Sequence, residues 1–573
     1  MATGTSWEAA GKAKRQSILN LIPEKWRIPT PVPPATELRD VTAYIQQFLS
    51  PREIEITELD IVSLAQRTTT GQWTAVEVTE AFCHRAALAH QFVNCLHEIF
   101  FDAALKEAQK LDAYFAMHRK PLGPLHGIPI SLKDQFHVKG VETTMGYVGW
   151  IGTFQGQKDD PRRLVFESEL VRELRDVGAV LHCKTSVPAT LMCGETVNNI
   201  IDYTWNPKNR HISAGGSSGG EGALILLKGS AGGFGTDIGG SVRIPAAFNG
   251  IYGIRPSAGR IPYEGAANSM DGQNSISSVI GPLANTAGGL KLLFQSVLSQ
   301  KPWLQDPLAV ELPWRDEAEQ EMLSLIKNSA AGQGQLSFGV MNSDGYVQPL
   351  PPVARALRIM TATLKKLGHK ASNPLFCSVI EWKPPSHQRA GELALTIFTF
   401  DGGADAQYHF GLSGEAPIPE LAALLGTPNP QKTAQEIAAT NVAKREYQKQ
   451  YMDYWNSTAE LTGTGRPVDG VFCPVAPFPA ARRGKTNYLT YTIFVNVLDY
   501  SSIVIPVTTA DKSVDILHAG YAPLNDTDKA IHDEYDAEIY DCAPVSLQLV
   551  GRRFQEEKLI ALAEYLGEEV KRA

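Results

Sequence analysis

Apolar residues recur at three- and four-residue steps through TELDIVSLAQRTTTGQWTAVEVTEAFCHRAALAH (57–90) and again through DAALKEAQKLDAYFAMHR (102–119), a spacing that predicts helices. Thr57 and Asp60 stand at the head of the first segment like a variant of a capping box. Farther along, short apolar runs predict buried strands: IPISLKD (128–134), AVLHCK (179–184), LSFGVM (336–341), DGVFCPV (469–475), SIVIPV (502–507) and VSLQLVG (545–551). Helical patterns lie between or after them, in SELVRELRDVG (168–178), PVARALRIMTATLKKLG (352–368) and EEKLIALAEYLGEEVKR (556–572). Strands alternating with helices over this length predict an α/β protein with a largely covered sheet.

Before residue 60 the pattern changes. The chain is polar and broken by prolines in RIPTPVPPATE, which reads as an N-terminal helix followed by an extended arm. The candidate division is therefore an arm, 1–60, packed on one domain, 61–573. No fixed-period repeat and no low-complexity linker interrupts the remainder.

Composition narrows the classes. Over 573 residues, 43% are hydrophobic and 20% charged, which supplies a sizeable core. A net charge of −8 excludes the basic footprint of a nucleic-acid binder. The seven cysteines (83, 95, 183, 193, 377, 473 and 542) form no C-x-x-C and suggest neither a zinc site nor a disulfide framework. No cofactor or metal is implied. No stretch approaches the ~18 uninterrupted apolar residues of a membrane helix, and the N-terminus lacks the apolar core of a secretory leader. The expectation is a cytoplasmic protein without a membrane anchor.

The chemistry gathers in HISAGGSSGGEG (211–222) and, shortly after it, GTDIGGSVRIP (235–245). A phosphate loop would need Lys-Ser or Lys-Thr after its last glycine, and none follows. A dinucleotide fingerprint would need a strand upstream, where NPKNRHISA is polar and turn-like. Gly216 to Gly220 does fit G-x-S-x-G, the nucleophile elbow of α/β-hydrolase esterases, with Ser218 attacking, but the required strand and a convincing histidine are missing. Of the downstream histidines (369, 387, 409, 518 and 532), His532 in KAIHDEYD reads as solvated. The remaining reading joins both stretches. Ser241 follows two glycines whose amides can crowd a substrate carbonyl, and a helix start follows it. With no histidine near, a buried lysine of lowered pKa can serve as base, and Lys133 ends an apolar strand-like run. Taken alone, Lys133 reads better as a strand-end lysine reaching solvent. His126 and His137, on either side of it, read as structural.

Taken together, GPLHGIPISLKD, GGSSGGEGALI and GTDIGGSVRIPAAFNGIYGIRPS resemble the amidase signature family, and the likeness runs from about residue 60 to 568. The passages around PATLM (188–192) and DGGAD (401–405) look most like fungal acetamidase-type amidases. The resemblance implies a large mixed central sheet covered by helices on both faces, with N-terminal helices added. It also implies hydrolysis of carboxamide C–N bonds through a serine acyl-enzyme, with some esters or carbamates accepted. Ser241 would be the nucleophile, Ser217 a bridging serine behind a cis peptide bond, and Lys133 the base. The amides of Ile238, Gly239, Gly240 and Ser241 would form the oxyanion hole. Ser218, Thr236, Asp237 and Arg243 would support the loop. Met192 and Cys193 are candidates for lining the acyl site, with plain core packing an equal reading. A small-molecule amide is the implied partner. Homodimers occur in the family, and the sequence decides neither for nor against one. A tRNA-dependent amidotransferase subunit is the alternative role within the family.

Overall fold

All six apolar runs become strands of one sheet, and helices close over both of its faces. In the computed structural model the described residues are 6–331, 335–367, 379–486, 488–518 and 520–572; His369 and Cys377 lie outside them. The strands are β1 (Leu96–Ile99), β2 (Ile128–Lys133), β3 (Ala179–Thr185), β4 (Val197–Asn198), β5 (Asp202–Tyr203), β6 (Gly232–Asp237), β7 (Tyr252–Arg255), β8 (Val279–Ala284), β9 (Phe338–Val340), β10 (Val379–Glu381), β11 (Gly470–Pro474), β12 (Ser502–Thr509) and β13 (Pro544–Val550). β4 and β5 pair only with each other, and the other eleven form one sheet in the order β1-β3-β2-β6-β8-β7-β12-β13-β11-β9-β10. β2 runs parallel to β3 and β6, and β9 runs parallel to β10 and β11; the remaining pairs are antiparallel. Every residue of β2, β3, β6, β8, β11 and β13 is buried, as expected of strands covered on both sides.

The long helical segment 57–90 divides where its sequence weakens, at TGQWT. Its two helices are Ile61–Thr69 and Ala75–Val93. Asp60 caps the first through the amides of Val62 and Ser63. Thr57 takes no part in that cap. It belongs to the preceding helix, Pro51–Glu58, where its hydroxyl donates to the Glu53 carbonyl and accepts from Arg85. The second helix gains its start from Thr74 and from Asp112, whose carboxylate accepts the amides of Ala75 and Val76.

Residues 6–60 lie against the β1 end of the sheet. Helix Trp7–Asn20 is followed by irregular chain, and Ile18, Ile22, Trp26, Val41 and Ile45 are buried in one cluster with Phe92, Phe101 and Val180. Lys14 reaches Glu98 at 2.6 Å and Glu142 at 2.9 Å. Among the described residues no helix is long and apolar enough to cross a membrane.

Beside the lysine that ends β2 lies a fully buried ion pair. Lys184 on β3 meets Asp134 at 2.6 Å, and Asp134 also accepts the amides of Thr144 and Met145. Removing one member of such a pair leaves an uncompensated charge in the interior, at a cost of about 3–5 kcal/mol. Lys184→Met is therefore expected to lower the urea midpoint of unfolding by a corresponding amount. An unchanged midpoint would show that the pair is not holding β2 and β3 together.

Candidate functional site

Three separate segments converge where β2 and β6 end side by side. Lys133 is the last residue of β2, and Thr236 and Asp237 are the last two of β6. The glycine-serine stretch crosses above them before entering the helix Gly219–Leu226. The Lys133 amine, fully buried, stands 2.7 Å from Ser217 Oγ and 2.7 Å from Thr236 Oγ1. The peptide bond between Gly216 and Ser217 is cis. Gly216 is pressed against a neighbouring segment: a Cβ there would lie 2.6 Å from the Cys193 carbonyl oxygen and 2.7 Å from the Glu195 nitrogen. The amide of Ser218 donates to the Ser241 carbonyl at 3.2 Å, which ties the two glycine-rich loops together.

The loop Ile238–Ser241 is held from below by a buried ion pair. Arg243 grips Asp237 with Nε and Nη2, each at 3.0 Å, and extends to the Thr492 carbonyl, Asn496 and Gln548. Asp237 also accepts from Asn496 and from the amides of Gly240 (2.8 Å) and Val242 (3.2 Å). These partners hold its carboxyl well below the usual range despite burial; burial opposes the ion, and the Arg243 guanidinium prevails. The expectation of four free amides in this loop needs one correction. The Gly240 N–H is spent on Asp237, because the loop curls back over that carboxylate. Among the described residues no hydrogen bond takes the amides of Ile238, Gly239 or Ser241.

Burial separates the polar groups by role. Lys133 is 0% exposed, Ser217 1% and Ser241 9%, and of the three only Ser241 lines the adjoining cavity. That cavity has a volume of about 150 Å³, and its wall is largely apolar, with Ile238, Ile244, Leu395, Phe398, Leu489 and Ile493. Met192 and Cys193 line it as well. Ser218 does not: its hydroxyl is fully buried, packs toward Gly235 and has no partner among the described residues. The chain before it, from Thr204 onward, forms no strand, so the elbow geometry is absent.

Desolvation dominates the electrostatics. Burial pulls the Lys133 amine down to about 7, against the opposing pull of the Asp237 and Glu221 carboxylates. Glu221, which sequence reasoning missed, is fully buried beneath the site. It accepts from Ser131 at 2.6 Å and from Thr185 at 2.9 Å, and burial pushes it up to about 8. Gln135 was missed too: its amide oxygen accepts the Thr236 hydroxyl at 2.7 Å. An acid at the head of the apolar run EGALILL is the one signal that could have pointed to Glu221. Among the described residues no histidine lines the cavity beside Ser241. His126 accepts the Leu122 amide, and His137 stacks on Phe154 at 4.7 Å. His532 is buried rather than solvated, because its helix face packs on Tyr521, stacked at 4.0 Å. Among the described residues no cluster of His, Cys, Asp and Glu could hold a metal ion.

A buried amine of near-neutral pKa, a serine hydroxyl hydrogen-bonded to it, a cavity-facing serine and unpaired amides beside that serine suit acyl transfer. Gly240 has φ +128°, and a Cβ there would lie 2.5 Å from Thr492 Oγ1; at Gly239 the nearest atom is 3.6 Å away. Gly240→Ala is accordingly expected to slow labelling by a serine-directed fluorophosphonate about a hundredfold, the scale on which displaced amide donors are felt. Gly239→Ala should label at close to the parent rate. Equal rates for the two variants would refute the loop geometry.

A family model described as Amidase matches residues 77–560. An acetamidase of Aspergillus oryzae is 45% identical and one of Emericella nidulans 42% identical, each alignment covering 98% of both chains. Among solved structures, a fatty acid amide hydrolase superposes with a TM-score of 0.87 at 31% identity, over 98% of this chain and 94% of that one. A peptide amidase from Stenotrophomonas maltophilia, 20% identical, superposes with a TM-score of 0.65 over 90% of this chain and 97% of that one, a likeness of fold alone.

Proposed function

The chain belongs to the amidase family and is an amide-hydrolysing enzyme, and on that premise we propose that Ser241, Ser217 and Lys133 cleave carboxamides through an acyl-enzyme. The observation that carries this reading is the buried Lys133 amine 2.7 Å from Ser217, with Ser241 alone of the three facing the cavity.

Neutral Lys133 takes the proton of Ser217 while Ser217 takes that of Ser241, whose oxygen attacks the carbonyl carbon. Charge develops on the carbonyl oxygen, and the amides of Ile238, Gly239 and Ser241 are its donors in this reading; Gly240 shapes the loop through Asp237. The proton then returns through Ser217 to the leaving nitrogen, the C–N bond breaks, and ammonia or an amine departs. An amine is a poor leaving group until protonated, so a proton source already beside it matters more for amides than for esters. Water, activated by the same relay, hydrolyses the acyl-enzyme to the free acid and restores Ser241. Esters and carbamates present the same carbonyl to the same serine and belong to the proposed range.

The cavity suggests the acyl side of the substrate. About 150 Å³ of mainly apolar space next to Ser241 suits an aliphatic or aryl acyl group larger than acetyl. An apolar pocket gains about 1–3 kcal/mol for each methylene it buries.

Ser241→Ala should lower turnover at least about a thousandfold with folding intact, as removal of a nucleophile does elsewhere; normal turnover would sink the assignment. Because the base must be neutral, kcat/KM should rise with pH through an apparent pKa near the value of about 7 to which burial pulls Lys133. A rate independent of pH across that range would exclude this lysine as the base. In a series of primary amides, hexanamide should exceed acetamide in kcat/KM by at least about tenfold; a preference for acetamide would show that the cavity does not receive the acyl chain.

A further inference from the structure

We infer that Gln135 is a positioning residue for the reaction: it fixes the direction of the hydrogen bonds around Lys133 so that the amine lone pair is left to Ser217. The inference rests on the reading of Lys133 as base and extends it to a residue outside the triad.

The reasoning starts away from the catalytic centre. Asn268 places its Nδ2 near the Ala266 carbonyl and the Asp271 carboxylate, each at 3.4 Å, and these groups only accept. Its Oδ1 therefore faces inward and accepts from Gln135 Nε2 at 3.1 Å, while Gln135 Nε2 also donates to the Tyr263 hydroxyl at 2.8 Å. With its nitrogen so engaged, Gln135 turns its oxygen toward Thr236. A carbonyl oxygen cannot donate, so the Thr236 hydroxyl must spend its one proton there, across 2.7 Å. Toward Lys133, also 2.7 Å away, Thr236 can then only accept an N–H. Among the described residues, Ser217 becomes the one hydroxyl within hydrogen-bond reach that can donate to the lone pair of the neutral amine. That is the direction in which the proton must travel to activate Ser241.

The chain orders protons rather than conducting them, because an amide does not readily pass a proton from its oxygen to its nitrogen. Gln135 is fully buried and does not line the cavity beside Ser241, so substrate affinity should be indifferent to it. Without Gln135, the Thr236 hydroxyl is free to rotate and compete with Ser217 for the lone pair. A carboxylate in its place would put a negative charge two hydrogen bonds from the amine and favour the charged, inactive form.

The experiment is kcat, KM and the pH profile of hexanamide hydrolysis by the purified full chain, its Gln135→Met and Gln135→Glu variants, and Lys133→Ala as control, with folding checked by circular dichroism. Gln135→Met should lose about tenfold in kcat with KM unchanged, within the range of general acid–base effects. Gln135→Glu should move the rising limb of the profile upward by about one pH unit. Should the methionine variant fail to fold, the glutamate variant carries the test. Wild-type kcat and an unmoved limb in the Gln135 variants, with Lys133→Ala inactive, would overturn the positioning role and leave the lysine in place. A Lys133→Ala enzyme that keeps the wild-type rate and limb would overturn the lysine assignment, and the role of Gln135 with it.

Discussion

Everything at this site depends on keeping one amine out of water without giving it a carboxylate to touch. A buried lysine normally survives by pairing, and one residue on, Asp134 would be a ready partner. Asp134 lies just past the end of β2 and is claimed by Lys184 at 2.6 Å and by the amides of Thr144 and Met145. Lys133 is left with two hydroxyls, Ser217 and Thr236. Asp237 and Glu221 pull on it only from a distance, and burial outweighs them. Asp237 is itself neutralised by Arg243, which limits how much charge the amine can feel.

The Asp237–Arg243 pair performs a second task. It collects one amide from the glycine loop and reaches the far half of the chain through Asn496, Gln548 and the Thr492 carbonyl. A loop of glycines is otherwise free to move. Here its geometry is set by an interior ion pair, and the unpaired amides next to Ser241 keep a fixed direction.

Much of this was legible in the sequence, and the failures have physical causes. The six apolar runs predicted β2, β3, β9, β11, β12 and β13 because strands buried on both faces read as continuous apolar stretches. β6 escaped notice: GGFGTD carries little that favours a strand. Its glycines leave the room that Glu221 and Ser218 fill, and its pairing with β2 and β8 makes it extended. Likewise β8, VIGPLA, contains a proline that argues against a central strand. At the site, the resemblance of three motifs pointed to the residues that converge. Gln135 and Glu221 stayed hidden because their partners, Thr236 and Thr185, are remote in sequence, and one glutamine beside a lysine carries no signal of its own. The Gly240 amide was assigned to the oxyanion hole because a motif names residues but does not say where an N–H points.

The anchoring of Arg243 has a consequence for the order in which the molecule is made. Synthesis runs from the N-terminus, and Lys133, Ser217 and Ser241 all leave the ribosome in the first half of the chain. Asn496 and Gln548, which hold the arginine beneath the loop, emerge near its end. β13, on which Gln548 sits, and β12 must also insert between β7 and β11 before the sheet is whole. A nascent chain therefore carries its reactive groups for most of its synthesis without the scaffold that aligns them. Chains that end before residue 492 lack all three of these anchors, Thr492, Asn496 and Gln548, and those that end between 497 and 547 lack Gln548.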